Sequence, residues 1–169
     1  MKKRTHYTSS MGRRAVFLDR DGVVNLKPPA GDYVRQWRDF RLVPGIADWI
    51  RLFNALNLLV IVVTNQRGIA RGLMGREDVE EIHANMLREL AARGARIDDV
   101  FYCPHDRDEC ECRKPKTGLV EQARAKWDID LAQSLMIGDS DKDAELAARC
   151  GMKFLRVDEG RFISDPRSQ

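Results

Sequence analysis

Two carboxylates, Asp19 and Asp21, stand two residues apart on a stretch kept tight by Gly22. Held so close, they repel each other unless a proton or a cation intervenes. Hard oxygen donors of this kind suit magnesium, which takes a few carboxylates and keeps waters that a substrate can replace. Asp139 follows another apolar run far along the chain and completes the ligand set if the fold brings it near. Asp19, directly after Ala15–Leu18, is the better held of the pair and reads as a nucleophile. Asp21, further out, reads as the group that exchanges protons. A carboxylate that attacks phosphorus forms an acyl phosphate and splits hydrolysis into two easier steps. Thr64 and Asn65 offer a hydroxyl and backbone amides for phosphate oxygens, and Lys114 offers an ammonium for the charge gathering on the transferring group. Asp21 is then expected to protonate the leaving alkoxide and later to deprotonate the attacking water. Taken singly, an Asp after a strand is a turn or cap residue and Thr-Asn a helix start.

A second cluster lies just before Lys114. Cys103-Pro104-His105 and Cys110-Glu111-Cys112 form two ligand pairs, and three thiolates with one imidazole suit a closed, tetrahedral structural zinc site. The plainer readings are unconnected thiols beside a surface His, or a disulfide, which a reducing compartment disfavours. Because the cluster ends next to Arg113-Lys114, zinc is expected to stiffen the loop that carries the lysine. Cys150, on the apolar side of a helical pattern, reads as core, and His83 as a surface residue. Arg67, Arg71 and Arg113, together with Asn65, are candidates for binding substrate, since a guanidinium can grip a second anionic group through two hydrogen bonds.

These residues need elements to position them. Apolar runs at Ala15–Leu18, Leu59–Val63, Val100–Tyr102, Leu135–Ile137 and Phe154–Val157 read as buried strands. Helical stripes lie between them. Ile46, Trp49, Ile50, Phe53 and Leu56 form one, and Val79, Ile82, Met86, Leu87 and Leu90 a second, stopped by Gly94. Leu119, Val120, Ala123 and Trp127 form a third, and Ala144, Ala147 and Cys150 a fourth, stopped by Gly151. Strand and helix alternate, which predicts an α/β fold: a doubly wound, mainly parallel sheet with helices on both faces. Ligands bind such sheets beyond the carboxyl ends of the strands. Asp19, Thr64, Cys103 and Asp139 all follow strands and so are expected on one rim.

With 169 residues, 43% hydrophobic and 33% charged, the chain fits a single globular domain and neither a disordered nor a fibrous protein. No apolar stretch approaches the roughly 18 residues that span a bilayer. The start of the chain lacks the apolar core of a signal peptide, so a cytoplasmic protein is expected, with no membrane partner. The net charge of +3 owes everything to Lys2, Lys3, Arg4, Arg13 and Arg14; setting those five aside leaves 24 bases against 26 acids. Residues 1–14 therefore read as a polar, disordered leader, and 15–169 as the single domain. A nucleic-acid binder spreads bases over a folded face, so no nucleic-acid partner is expected, and a monomer is.

The order Phe17-Leu18-Asp19-Arg20-Asp21-Gly22, Val63-Thr64-Asn65-Gln66, Arg113-Lys114-Pro115 and Ile137-Gly138-Asp139 resembles the four motifs of the haloacid dehalogenase superfamily of phosphatases. The resemblance spans about Ala15 to Val157. It implies Asp19 as nucleophile, Asp21 as general acid and base, Thr64 for phosphate, Lys114 as the neutralising lysine and Asp139 as a magnesium ligand. It also implies that Asp19 binds magnesium through its side chain and Asp21 through its main-chain carbonyl, and that there is little or no cap domain. Within the superfamily, the zinc loop running into Arg113-Lys114-Pro115 resembles two phosphatase groups, one acting on a heptose bisphosphate and the other on histidinol phosphate. Thr64-Asn65-Gln66-Arg67-Gly68-Ile69-Ala70-Arg71-Gly72 and Gly31-Asp32-Tyr33-Val34 are similar to the heptose group, which makes a small phosphorylated sugar the expected substrate. The short loop from His105 to Cys110 and Ser140, where the heptose group commonly has lysine, depart from it. A receiver-like phosphoacceptor domain would place its acid after the third strand, where this chain has Cys103 and His105. A zinc-dependent nucleic-acid module would not need carboxylates after the first and fourth strands.

Overall fold

The computed structural model describes residues 12–158 and 161–162. Its elements are β1 (Ala15–Leu18), α1 (Ile46–Ala55), β2 (Leu59–Asn65), α2 (Arg76–Ala92), β3 (Asp99–Cys103), α3 (Gly118–Trp127), β4 (Leu135–Gly138), α4 (Asp141–Arg149), β5 (Lys153–Asp158) and β6 (Arg161–Phe162), with short 3-10 turns at Trp37–Asp39 and Leu131–Gln133. The sheet runs β3-β2-β1-β4-β5-β6. Its first five strands are parallel, and β6 closes antiparallel on β5. The expected fold class, α/β with a doubly wound sheet, is the observed one.

Strands at the centre of such a sheet are apolar on both faces because both are covered. Val16 and Leu18 of β1 and Val60 and Val62 of β2 pack with Ile46, Ile50 and Phe53 of α1 and Ile82, Met86 and Leu90 of α2. Ala15, Phe17, Leu59, Ile61 and Val63 face the other way, onto Leu119, Val120 and Ala123 of α3 and Leu146 and Ala147 of α4. Period-two alternation thus divides the core into two layers with the sheet between them. The register sets Phe17 beside Ile61 on one side and Met136 on the other, so the ends of β1, β2 and β4 arrive together at one rim.

Three expectations change. In α1 only Ile46, Ile50 and Phe53 face the core; Trp49 and Leu56 sit at its margins, 40% and 54% exposed, because the buried stripe is narrower than the apolar one. β3 is an edge strand and only Cys103 of it is fully buried. Arg13, assigned to the leader by its charge, pairs with the segment before the second 3-10 turn: its N–H donates to Asp128 and its carbonyl accepts from Asp130. The guanidinium lies 5.4 Å from the Trp127 ring. The rest of the expected leader, residues 1–11, lies outside the described residues. Among the described residues no helix is long and apolar enough to cross a membrane.

Candidate active site

The β1 ladder continues one residue past the strand, where the Asp19 N–H donates to the carbonyl of Ile137 at 3.0 Å, and this holds the acid at the rim. Lys114 arrives from the loop after β3 and is buried, with Nζ 2.9 Å from Asp19 Oδ1 and 2.7 Å from Asp143 Oδ1. The main chain at Lys114 is itself held: Asn65, at the tip of β2, accepts from its N–H at 3.0 Å and donates to its carbonyl at 3.1 Å. Both ends of the Asn65 amide are therefore committed to positioning the lysine.

Asp143 was not among the sequence candidates. It is fully buried, and its second oxygen takes the N–H and hydroxyl of Ser140, which starts α4. The available signal was Ser140 three residues before an acid, a helix-start pattern. Gly138 makes the approach possible, since a Cβ there would lie 2.3 Å from that of Asp143. Gly22 has the same purpose toward Asp139: it takes φ +91, and a Cβ would lie 2.4 Å from Asp139 Oδ2.

Asp19, Asp139 and Asp143 each offer a carboxylate oxygen, all within 4.8 Å of one another. Burial pushes the Asp19 carboxyl up to about 7; Lys114 pulls against this, and Asp143 and Asp21 add to it. Burial would release the Lys114 proton, but Asp19 and Asp143 outweigh it and raise its pKa. With Asp143 spent on Lys114 and Ser140, Asp19 and Asp139 remain as the hard oxygen pair for a divalent cation, so the donor set fits magnesium. Lys27 reaches the same place from the loop after β1, its Nζ 2.5 Å from Asp139 Oδ2. The Asp21 carboxylate is not part of this trio; its oxygens take donors from Arg20, Asn25 and Gln66. Burial favours its neutral form, yet the Arg20 charge and donors from Asn25, Arg20 and Gln66 together hold the carboxyl below its ordinary value.

Thr64 is buried beside these groups, its hydroxyl accepting from Gln66 Nε2 at 2.9 Å. An open cleft of about 460 Å³ is lined by Asp19, Asp21, Lys27, Thr64, Asn65, Arg113, Lys114 and Asp139. Of the three arginines expected at the substrate, Arg113 lines it and has a buried Nη1 with no hydrogen-bond partner among the described residues. Arg67 is paired with Asp106 at 2.5 Å, and Arg71 lies 6.0 Å from the Tyr33 ring. Lys142, missed in the sequence, lines the same cleft. Burial, then the Arg113, Arg107 and Arg67 charges, lowers its pKa.

The four expected zinc ligands come together. Cys103 Sγ is 3.5 Å from Cys110 Sγ and 3.6 Å from His105 Nδ1, and Cys112 Sγ is 3.3 Å from both Cys110 Sγ and His105 Nδ1. A tetrahedral ion with Zn–S of about 2.3 Å sets its sulfurs about 3.8 Å apart, so the cluster is close to the size zinc needs. All four cysteines are free, which removes the disulfide reading. Lys116 ties the loop further, donating to the Cys110 carbonyl at 2.7 Å. Cys150, at the end of α4, is only partly buried against the α3/α4 layer. His83, expected on the surface, is buried on α2 and meets Arg20.

A family model described as HAD-hydrolase-like matches residues 111–168. A relative from Rhodopseudomonas palustris, named D-glycero-beta-D-manno-heptose-1,7-bisphosphate 7-phosphatase, is 43% identical over 92% of this chain and 89% of its own length. The chain belongs to the haloacid dehalogenase superfamily. Its activity class within that superfamily is that of a phosphatase. A Campylobacter jejuni relative, named for the alpha rather than the beta anomer of the same sugar, is 41% identical over 88% of this chain and 86% of its own. Among solved structures of the superfamily, the D,D-heptose 1,7-bisphosphate phosphatase from B. bronchiseptica, complexed with magnesium and phosphate, matches with a TM-score of 0.80. It is 36% identical and covers 87% of this chain and 83% of that one.

Proposed function

We propose that this phosphatase removes the C7 phosphate of D-glycero-D-manno-heptose 1,7-bisphosphate through an aspartyl phosphate on Asp19. Asp19 attacks phosphorus, forming a P–O bond as the ester P–O bond breaks, and Asp21, which must enter this step as the neutral acid, gives the departing C7 oxygen its proton. Water then attacks the same phosphorus as Asp21 removes one of its protons, and the P–O bond to Asp19 breaks, releasing the Asp19 carboxylate and inorganic phosphate. Lys114 faces the phosphoryl oxygens while Asp143 and Asn65 keep it there, and the Thr64 hydroxyl is at hand for the same group. Magnesium, held by Asp19, Asp139 and the Asp21 carbonyl, supplies electrostatic relief between the carboxylates and the incoming phosphate. Cys103, His105, Cys110 and Cys112 would hold zinc, which would brace the loop that delivers Lys114.

The observation that carries the choice of a bisphosphate is Arg113. It adjoins the catalytic lysine and lines the cleft with Lys142, and its buried Nη1 has no partner among the described residues. A second phosphate is attracted by the Arg113 guanidinium, whereas the cationic amine of histidinol phosphate is repelled by it. The names of the 41–43% identical relatives agree with this reading. Steady-state kinetics on both anomers of the heptose bisphosphate, histidinol phosphate and an aryl phosphate test it. The bisphosphate is expected to have much the highest kcat/KM, and Arg113→Ala to lower that value more than the aryl phosphate's. Equal efficiency with histidinol phosphate, or an Arg113→Ala loss of the same size on every substrate, refutes it.

A further inference from the structure

Arg20 separates the two acids in sequence and is completely buried. Its Nε and Nη2 donate to Asp21 Oδ1 at 3.2 and 2.9 Å, and Asn25 Nδ2 adds a third donor to the same oxygen at 2.9 Å. Among the described residues Asp21 Oδ2 receives only Gln66 Nε2, at 3.2 Å. The Asn25 and Gln66 carbonyl oxygens are buried with no donor among the described residues, while their amide nitrogens face Asp21 and also donate to the Leu26 carbonyl and the Thr64 hydroxyl. The remaining arm of Arg20, Nη1, lies 3.2 Å from His83 Nε2.

A guanidinium only donates, so His83 Nε2 is the acceptor and its hydrogen resides on Nδ1. Burial first, then the Arg20 charge, holds the ring far below its ordinary value, at about 3, and it stays neutral. The ring is fixed in turn by α2 and by the edge-on Tyr102 ring at 5.6 Å, whose hydroxyl donates to Glu80. No step of the reaction uses His83, yet it spends a buried ring nitrogen on the side chain that supplies two of the donors to the proton-transfer group.

We propose that Arg20 and His83 are positioning residues for proton transfer, His83 fixing Arg20 and Arg20 saturating Asp21 Oδ1 so that Oδ2 is the oxygen that exchanges the proton. The inference rests on the reading of Asp21 as general acid and base. Its signature is dependence on the leaving group. An alkoxide leaves only with a proton, whereas a nitrophenolate leaves without one, and kcat/KM reports the first phosphoryl transfer alone.

The test compares kcat/KM for an alkyl phosphate and 4-nitrophenyl phosphate in the wild type, Asp21→Asn, His83→Leu, His83→Gln and Arg20→Lys. General acid–base catalysis is worth about 10²–10⁴-fold. Asp21→Asn should therefore lose about a hundredfold or more on the alkyl ester and far less on the aryl one. Loosening its support through His83→Leu or Arg20→Lys should cost about tenfold on the alkyl ester, with the aryl ester changed less than about threefold. His83→Gln, whose carbonyl can accept from Arg20, should recover most of the loss. An Asp21→Asn variant with equal losses on both esters overturns the Asp21 reading and this inference with it. A selective Asp21→Asn loss alongside unselective or absent losses in the His83 and Arg20 variants overturns the inference alone. Should those variants not fold, imidazole nitrogen shifts in the wild type at pH 7 decide: the Nδ1–H tautomer supports the pair, and an Nε2–H or doubly protonated ring overturns it.

Discussion

Asp143→Asn separates the charge behind Lys114 from its shape. The carboxylate has two duties: one oxygen lies 2.7 Å from Lys114 Nζ, and the other takes both the N–H and the hydroxyl of Ser140. An amide keeps one acceptor and loses the charge. An amide carbonyl can still accept from the charged lysine but without the opposite charge, so the Lys114 contact should weaken by about 1–2 kcal/mol. Loss of the second acceptor at the start of α4 costs about 1 kcal/mol more. The sum, about 2–3 kcal/mol, corresponds to a fall in Tm of roughly 4–12 °C for a chain of this length. Lys114 keeps Asp19 as a partner, so the full cost of about 3–5 kcal/mol for breaking a buried pair is not expected. Activity should suffer as well, because a lysine released from Asp143 binds Asp19 more tightly and blunts the nucleophile. Each 1.4 kcal/mol of added barrier is tenfold in rate, so kcat should drop about tenfold or more with little change in KM. Thermal unfolding by circular dichroism and steady-state kinetics on one preparation measure both effects. A Tm within about 1 °C of wild type together with kcat within about twofold would refute this account of Asp143.

The purified protein should hold about one zinc per chain. Its removal by a strong chelator should loosen the Lys114 loop so that magnesium alone does not restore turnover; metal-free preparations, or full activity in a Cys110→Ser/Cys112→Ser variant, would contradict this. Lys27 sits on Asp139 where the cation belongs, so Lys27→Ala should tighten magnesium binding measured by calorimetry without substrate, and unchanged or weaker binding would show that the lysine does not compete.

The site residues that stand directly after apolar runs were legible in the sequence. Asp19, Thr64 and Asp139 are polar residues at the ends of strands, and a parallel sheet brings strand ends together. The zinc ligands were legible because their spacing is local. What the sequence hid was what depends on which way a side chain turns once the layers pack. Arg20 lies between two acids and carried no reading of its own in the sequence, but it turns inward and is neutralised by Asp21. His83 breaks the stripe of Val79 and Ile82 with a polar group, and reads as surface because its partner comes from a loop over sixty residues earlier. Asp143 looked like one of several acids starting α4, and only the closeness permitted by Gly138 shows it behind Lys114. Asn65, expected near phosphate, turned out to grip the lysine's main chain.

The claim on which the rest depends is that phosphorus passes through Asp19. Borohydride added during turnover reduces an aspartyl phosphate to homoserine, and peptide mapping then reads the position that carried it. The account predicts homoserine at residue 19 alone, and only when substrate and magnesium are both present. Its absence under turnover, or its appearance at Asp21, Asp139 or Asp143 instead, would contradict the mechanism.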